Sequence, residues 1–447
     1  MTTMHFITLF HIDELALVMM TLVLFIGLCV GSFAYRYLQG DKEFRIFFIQ
    51  FILLIGFILV MVCADHLVLL FGAWCLCNIL LVRLMIYKRG WKAAKASGLL
   101  TAKNYGLGAI CVAGAFALFY VVSGKTSIQG LLHQHSQSRL LPLAMILMLI
   151  GVMTQSAIWP FHRWLISSLN SPTPVSAVMH AGLVNGGGFL LARFSPLYCE
   201  HSYLLSVIFV IGMVSALLGS LWKLIQSDVK RMLACSTMGQ MGFMLAQCGL
   251  GLFPAAVAHL ALHGMFKAYL FLASGSAAQE KRFDPGYRPT LVTFSCMLMC
   301  GIVASLAFGL VSGKSWFSGD TTLILMVIAF FTGSQFAFPL LQHKTPLNLL
   351  LALLVSVLLG LVYGSSVQLI TLALNPMHLM QPQALNGFYL MGVVALTLAW
   401  LSMLFVRRYG QRDRFQARML KSYVLALNAS QPHPETVTSH RNQYHCG

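Results

Sequence analysis

The sequence predicts an all-α, polytopic membrane bundle of about thirteen transmembrane helices. Of its 447 residues, 58% are hydrophobic and only 9% are charged, whereas charged residues make up about 25% of an average soluble domain. Apolar runs of about 20 residues, the length that spans a hydrocarbon core, recur along the chain. Because they recur throughout, the first is interpreted as a helix of the bundle and not as a cleaved signal peptide.

The individual spans follow from these runs, each of which ends near polar or charged residues. Together they assign residues 1–410 to one helical bundle and residues 411–447 to a C-terminal segment. The predicted spans are 14–35, 46–63, 66–86, 105–123, 140–159, 174–192, 203–225, 231–250, 254–275, 289–311, 321–341, 346–370 and 386–406.

The cations are distributed unevenly between the two sides of this bundle. A net charge of +17 would suggest nucleic acid as the partner of a soluble protein, but in membrane proteins Lys and Arg mark the cytoplasmic loops. With the N-terminus outside, the cytoplasmic loops and tail hold 22 of the 29 cations and the opposite loops hold 4. The other three, Arg83, Lys223 and Lys267, lie within spans. The sequence therefore predicts a cytoplasmic C-terminus and no nucleic-acid partner.

The acids and cysteines limit the chemistry of the spans. None of the twelve Asp and Glu residues falls in the middle of a predicted span, so a proton path or a divalent-cation site built on buried carboxylates is not predicted. Cys75 and Cys77 lie close together, but no second pair with zinc spacing accompanies them. We expect no disulfide framework, metal site, cofactor or catalytic motif in this chain.

Residues 155–180, QSAIWPFHRWLISSLNSPTPVSAVMH, predict an interrupted helix followed by one that starts at proline. Pro160 falls at the end of an apolar span, and Pro172 and Pro174 open the next one. Interruptions near membrane depth usually line a cavity, because free backbone groups are not tolerated against lipid. His180 lies inside the second span and is a candidate for a polar axis, although ordinary loop prolines and one hydrogen-bonded histidine are the alternative.

The stretch 222–242, WKLIQSDVKRMLACSTMGQMG, predicts a short turn followed by a span that begins with polar residues. Lys223 is a further candidate for the proton path, and the alternative is that its side chain extends to the interface. Ser236, Thr237 and Gln240 suit a helix that contacts water.

The stretch 257–271, VAHLALHGMFKAYLF, carries the strongest functional pattern. His259, His263 and Lys267 are spaced four residues apart, so a helix places them on one side. A cation near the membrane midplane costs about 2.5–3.5 kcal/mol unless it is hydrated, paired or neutral. The alternative is that these side chains only hydrogen-bond neighbouring helices, but three in register favour a proton path through changes of charge.

Read together, three of these stretches resemble the proton-translocating antiporter-like subunits of respiratory complex I and of Mrp-type cation antiporters. They are SPTPVSAVMHAG, SDVKRMLACSTMGQMGFM and HLALHGMFKAYLFLASGS, and the resemblance covers about residues 60–280. It implies a fold with an embedded inverted repeat. It also implies that His180, His259, His263 and Lys267 match the proton-path residues of that family.

The sequence departs from that pattern at two positions. GAWCLCN has Cys75 where the family places a glutamate, and QSAI has Gln155 where the family places a lysine. Helices of the longer family members also have no counterpart. The chain is therefore most similar to the short membrane subunit of the DAB-type inorganic carbon uptake systems. This resemblance implies a large, peripheral, cytoplasmic partner that binds zinc and resembles carbonic anhydrase.

We therefore expect a proton-conducting subunit, with Na⁺ as the alternative ion, of a bacterial inner (plasma) membrane complex that takes up inorganic carbon, with the chemistry and the zinc in the partner. One alternative is a subunit of a respiratory NADH:quinone oxidoreductase or an Mrp-type antiporter. Another is a membrane anchor that transports nothing and only recruits a soluble enzyme.

The C-terminal stretch 411–428, QRDRFQARMLKSYVLALN, predicts an amphipathic helix on the cytoplasmic side. It either lies on membrane lipid, with its cations at anionic headgroups, or binds the soluble partner together with the tail that ends near Cys446. The cytoplasmic stretch 87–104 is the next candidate for that docking surface.

Overall fold

The computed structural model describes residues 9–133, 138–278, 289–342, 345–409 and 413–437. Within these ranges the chain is helical, with short 3-10 turns between helices. The helices are α1 (Glu14–Tyr37), α2 (Phe44–Cys63), α3 (Leu67–Met85), α4 (Lys92–Ser123), α5 (Ile128–Leu132), α6 (Leu140–Gln155), α7 (Arg163–Ile166), α8 (Thr173–Ala181), α9 (Gly186–Arg193), α10 (Ser195–Cys199), α11 (Ser202–Ile225), α12 (Val229–Gly249), α13 (Phe253–Leu272), α14 (Leu291–Ser312), α15 (Thr322–Leu340), α16 (Pro346–Ala373), α17 (Gly387–Tyr409) and α18 (Asp413–Ala429).

The predicted membrane bundle is confirmed. Eleven segments in the described ranges are long and apolar enough to cross a membrane, with α8 and α9 counted as one. Helix α6 is apolar but only 16 residues long, and α12 has 21 residues but a more polar composition. These two correspond to the remaining predicted spans. The embedded inverted repeat stays a prediction.

Three predicted boundaries were wrong. Helix α4 begins at Lys92, so most of the stretch 87–104 is helix and not loop. Helix α6 ends at Gln155, four residues before the predicted end, because the backbone leaves the helix ahead of Pro160. The predicted span 174–192 is broken by a 3-10 turn, Leu183–Asn185, directly after α8.

The core has a large part with residues from α1 through α17, a smaller cluster among α14 to α17 and another where α7, α11 and α12 meet. Helices α11 and α12 pack most closely. Glycines on each face the other's backbone, so a Cβ on Gly212, Gly219 or Gly249 would collide with main-chain atoms of the opposite helix. Small residues of this kind allow transmembrane helices to approach closely.

A buried ion pair joins three helices at one end of the bundle. The carboxylate of Asp13, the N-cap of α1, accepts from Ala16 N at 2.9 Å and pairs with the guanidinium of Arg193 at the end of α9. Arg193 also donates to Val62 O, near the end of α2, at 3.0 Å. Both partners are nearly inaccessible, with side-chain exposures of 6% for Asp13 and 3% for Arg193. Each therefore neutralises the buried charge of the other.

Removing one partner of this pair should destabilise the protein strongly. In Asp13→Ala, Arg193 keeps a buried charge without a counterion, which costs about 3–5 kcal/mol. Glu14→Ala is the matched control, since Glu14 is the neighbouring acid and forms no ion pair in the described part of the chain. Thermal unfolding in detergent should show a large decrease in melting temperature for Asp13→Ala only. Equal melting temperatures for the two variants would contradict this role of the pair.

The described end of the chain packs against the opposite end of the bundle. We call residues 430–437 the C-terminal strap. Gln226 Nε2 donates to Ser430 Oγ at 2.8 Å, and Asn170 Nδ2 donates to Thr436 O at 2.7 Å. The strap therefore joins the α11–α12 turn to the connection between α7 and α8. Residues 411–412 and 438–447 of the predicted C-terminal segment, including Cys446, lie outside the described residues.

Candidate functional site

Helix α13 carries its three polar side chains on one buried side, as its spacing predicts. His259 is 8% exposed, His263 is 6% exposed and Lys267 is 1% exposed. The two imidazole rings stack with centroids 5.9 Å apart and an interplanar angle of 16°. The row therefore faces the protein interior over two turns of the helix and does not face lipid.

Lys267 and His180 are linked through helix α12. Lys267 Nζ donates to Leu233 O at 3.1 Å, and Thr237 Oγ1 donates to the same carbonyl oxygen at 3.0 Å. His180 Nδ1 lies 3.0 Å from Thr237 Oγ1. When Thr237 donates its single hydroxyl proton to Leu233 O, its oxygen is left as an acceptor and His180 donates from Nδ1. One carbonyl and one hydroxyl thus connect an imidazole to an ammonium group.

The break between α8 and α9 brings His180 close to α13. Asn185 Nδ2, in the 3-10 turn of the break, donates to Ala181 O at 2.8 Å. Gly264 of α13 packs against the same carbonyl, and a Cβ there would lie 2.8 Å from it. His180 stacks on Phe271 at a centroid distance of 4.2 Å. The broken helix therefore meets α13 on both sides of Lys267, at Gly264 and at Phe271.

Several buried polar atoms beside this row have no protein partner. Among the described residues, His259 Nε2, His263 Nε2 and Asn185 Oδ1 are buried and make no hydrogen bond. A buried polar group without a partner costs about 1–3 kcal/mol, and buried water usually satisfies such groups. The atoms lie along α13 and the break, where hydration would join the histidine pair to the cluster around Lys267.

Side chains at the end of α6 bind backbone carbonyls that the break between α8 and α9 leaves free. Helix α6 ends at Gln155, and Ser156 Oγ donates to Val184 O at 2.7 Å. Gln155 Nε2 lies 3.3 Å from Leu183 O. The carbonyls freed by the 3-10 turn are therefore bound by side chains at the end of α6, as expected for irregular backbone at membrane depth.

Pro160 lies in the connection that follows α6, whereas Pro172 caps α8 and Pro174 lies in its first turn. The same connection holds His162, which is 6% exposed and packs on Trp222. Burial, with a contribution from the neighbouring Arg163, lowers the pKa of His162 to about 4. His162 is therefore neutral at physiological pH and adds no charge to this end of the bundle.

A neutral amide pair lies where the resemblance would put a lysine, one turn from Cys75 at the place of its acid. Gln155 Nε2 donates to Asn78 Oδ1 at 3.1 Å, and Asn78 lies one turn after Cys75 on α3. The two amides line a cavity of about 20 Å³ together with Trp74, which is room for roughly one water molecule. This cluster cannot change its charge, unlike the cluster around Lys267.

Lys223 is not part of the connected cluster. It is exposed in the last turn of α11 and has no hydrogen bond within the described residues. The broken-helix prolines, in contrast, bound the elements that position His180.

Sequence reasoning missed Leu233, Asn78 and Asn185. A backbone carbonyl such as Leu233 O has no residue signature, so no pattern could have identified it. Asn78 and Asn185 are amides within apolar spans, and that is a signal that could have been followed. Within the ranges that the structure describes, no group of three His, Cys, Asp or Glu side chains is arranged to bind a metal.

Thr237→Val should impair transport without unfolding the protein. Valine keeps the shape but removes the hydroxyl, so His180 Nδ1 loses its partner at a cost of about 1–3 kcal/mol. We expect a transport rate lower by roughly tenfold or more, since about 1.4 kcal/mol corresponds to tenfold. Thr237→Ser, which restores the hydroxyl, should recover most of it. Proton uptake into proteoliposomes at equal protein content measures the activity of the two variants. Full activity of Thr237→Val would exclude the hydroxyl from the path.

Family models and relatives match the chain over most of its length. A family described as NADH:quinone oxidoreductase/Mrp antiporter, TM, matches residues 64–288. A second, described as NADH-ubiquinone oxidoreductase (complex I), chain 5 N-terminus, matches residues 1–48. Among solved structures, the Mrp complex from Dietzia sp. DQ12-45-1b has a chain with a TM-score of 0.63 and 22% identity, covering 94% of this chain and 51% of that one. This likeness shows the fold.

Three curated relatives are informative. A protein of Bacillus anthracis named "probable inorganic carbon transporter subunit DabB" is 35% identical over 73% of this chain and 65% of its own length. The protein of the same name in Bacillus subtilis is 38% identical over 67% of this chain and 59% of its own length. NADH-quinone oxidoreductase subunit L of Escherichia coli is 32% identical over 70% of this chain and 53% of its own length. The chain thus spans about half to two thirds of these relatives.

Proposed function

This chain belongs to the NADH:quinone oxidoreductase/Mrp antiporter transmembrane family, and from that premise we propose that it conducts protons in an energy-coupled complex for inorganic carbon uptake. The observation that carries the proposal is the hydrogen-bonded connection from His180 through Thr237 and Leu233 O to Lys267. An imidazole and a buried amine can both exchange protons, and the histidine pair of α13 extends them along the helix.

Two observations favour inorganic carbon over the respiratory role. Relatives of 35–38% identity carry the name of inorganic carbon transporter subunits. In addition, the amide pair of Asn78 and Gln155 is uncharged, so coupling cannot use an acid–lysine pair at this place. The subunit L relative in E. coli, at 32% identity, supports the respiratory alternative.

The chemistry would belong to a second protein. This chain would lie in a bacterial inner membrane with its N-terminus outside and the strap on the cytoplasmic side. We propose a large peripheral partner that resembles carbonic anhydrase, holds zinc and hydrates CO₂ to bicarbonate. A proton that crosses 100 mV supplies about 2.3 kcal/mol, which suffices to bias hydration in one direction.

Copurification and uptake together test this proposal. The tagged chain, expressed with its neighbouring genes, should retain a large zinc protein and support protonophore-sensitive uptake of labelled inorganic carbon. Retention of quinone-oxidoreductase or antiporter subunits would favour the respiratory alternative. Uptake that persists in a variant unable to conduct protons would favour a membrane anchor.

Docking of the partner should depend on α18 and not on the strap, because the strap is bound to its own bundle. Leu420 and Leu425 of α18 are 60% and 62% exposed. Leu420→Glu with Leu425→Glu should abolish copurification of the partner, since charges replace an apolar contact surface. Val437→Glu, at an exposed position of the strap, is the control. If the double variant retains the partner in full amount, α18 is a lipid anchor only.

A further inference from the structure

A second polar cavity, remote from the proton path, lies where α2 begins, α3 ends and α4 begins. Its volume is about 500 Å³, within the range of ligand pockets, which is about 300–1,000 Å³. Three cations line it: Arg83 from the last turn of α3, Arg89 from the following turn and Lys95 from the first turn of α4. One carboxylate, Glu43, accompanies them, so three positive charges and one negative charge leave a net charge of plus two.

Glu43 balances only part of the positive charge of this cavity. Arg83, Arg89 and Lys95 are exposed, and none forms an ion pair within the described residues. Arg83 is two residues from the end of a membrane-spanning helix, a position at which a cation reaches the bilayer interface. The cavity therefore presents unpaired cations at headgroup depth and favours an anion.

The cavity is also continuous with an apolar membrane face. Ile46 lines it and is 44% exposed, and Ile49 and Leu53 continue the same side of α2 with exposures of 60% and 46%. These positions recur at helical spacing along one side of the helix. A molecule in the cavity can thus place a charged group among the cations and an alkyl chain along α2.

We propose that this cavity binds an anionic phospholipid, with its phosphate at Arg83, Arg89 and Lys95 and an acyl chain along Ile46, Ile49 and Leu53. Basic pockets between transmembrane helices on the cytoplasmic side bind anionic headgroups. A free phosphate would use the cations but not the apolar side of α2. An acidic surface of a soluble protein would not reach that side, because it faces the bilayer interior.

Native mass spectrometry of the full chain, stripped of lipid and then exposed to single lipids, tests the proposal. Phosphatidylglycerol should bind and phosphatidylcholine should not. In Arg83→Gln with Arg89→Gln, binding of phosphatidylglycerol should weaken roughly 25-fold, since each cation near a membrane surface contributes about fivefold. Arg45→Gln is the matched control, because Arg45 is an exposed cation of α2 that does not line the cavity.

Three results would overturn the proposal. One is equal lipid binding by the double variant and by the Arg45→Gln control. Another is that inorganic phosphate at the same concentration displaces the lipid or raises the melting temperature as much as phosphatidylglycerol does, which would make the cavity a free-anion site. The third is that the double variant keeps its lipid but loses an associated acidic protein, which would make the cavity a docking surface.

Discussion

Lys267→Ala is expected to abolish proton-dependent uptake while the protein still inserts into the membrane. Lys267 is 1% exposed and its ammonium group donates to Leu233 O. Alanine removes the exchangeable proton and breaks the connection to His180. Uptake of labelled inorganic carbon should fall to the background of cells without the gene. The matched control is Lys223→Ala, which removes an exposed lysine without a direct contact in the cluster and should change uptake little.

A second variant separates proton exchange from packing. Lys267→Arg keeps a buried cation and can donate to Leu233 O, but a guanidinium does not lose its proton in proteins. We therefore expect Lys267→Arg to be well folded and as inactive as Lys267→Ala. Uptake that recovers with arginine would mean that the position needs only a positive charge, and transport by proton exchange at Lys267 would be wrong.

Substitutions of the two histidines of α13 should lower uptake to different degrees. His263→Ala should be nearly as severe as Lys267→Ala, because its ring lies between the lysine and the outer part of the helix. His259→Ala should be milder, because it is closer to the opposite end of the bundle. Full uptake in all three variants at equal expression would exclude this helix as the route.

Gln155→Lys is expected to have the second largest effect, through stability and transport together. Gln155 is 3% exposed and its amide bonds to Asn78 Oδ1 and Leu183 O. A lysine there would carry a charge without a buried counterion, and an unpaired buried charge costs about 3–5 kcal/mol. We expect lower accumulation and little uptake. Gln155→Met, of similar size and uncharged, is the control and should be milder.

A substitution at Cys75, made alone and together with Gln155→Lys, tests whether the amide pair replaces a charge pair. Cys75→Glu alone should also impair the protein, and Cys75→Glu with Gln155→Lys should regain stability without raising uptake above the wild-type rate. Thermal unfolding and uptake, measured on the same preparations, distinguish the two effects. A double variant that transports faster than wild type would show that coupling here does use a charge pair.

The sequence predicted those parts of the fold that depend on local pattern. The apolar runs predicted the spans, and the four-residue spacing of His259, His263 and Lys267 predicted one buried side of α13. The end of α6 was misplaced because Ser156 to Trp159 are as apolar overall as the helix before them. The contact of Asn170 with Thr436 was not predictable, because no local pattern links residues 266 positions apart.

The same distinction between local pattern and long-range packing applies to the candidate site. The histidines and the lysine of the candidate site were visible in the sequence, but their arrangement in space depends on the carbonyl of Leu233 and on the break at Leu183–Asn185. Both arise from how α8, α12 and α13 pack against one another. Gly187 and Gly188, in the first turn of α9, face neighbouring side chains and backbone closely. An interrupted helix was predicted where Pro160, Pro172 and Pro174 mark it, but the position of the break at Leu183–Asn185 was not predicted, because no proline marks it.

The glycine contacts between α11 and α12 bear on how the protein is made. Helix α12 carries the hydroxyl and carbonyl of the path, and it is not among the helices apolar enough to cross a membrane alone. Helix α11 is, and its turn to α12 is only a few residues long. We therefore expect the two to leave the translocon as one hairpin, with backbone contact at Gly219 already formed, so that the polar residues of α12 enter lipid shielded by their neighbour. The polarity of α12 is thus made compatible with biogenesis by the helix synthesised just before it.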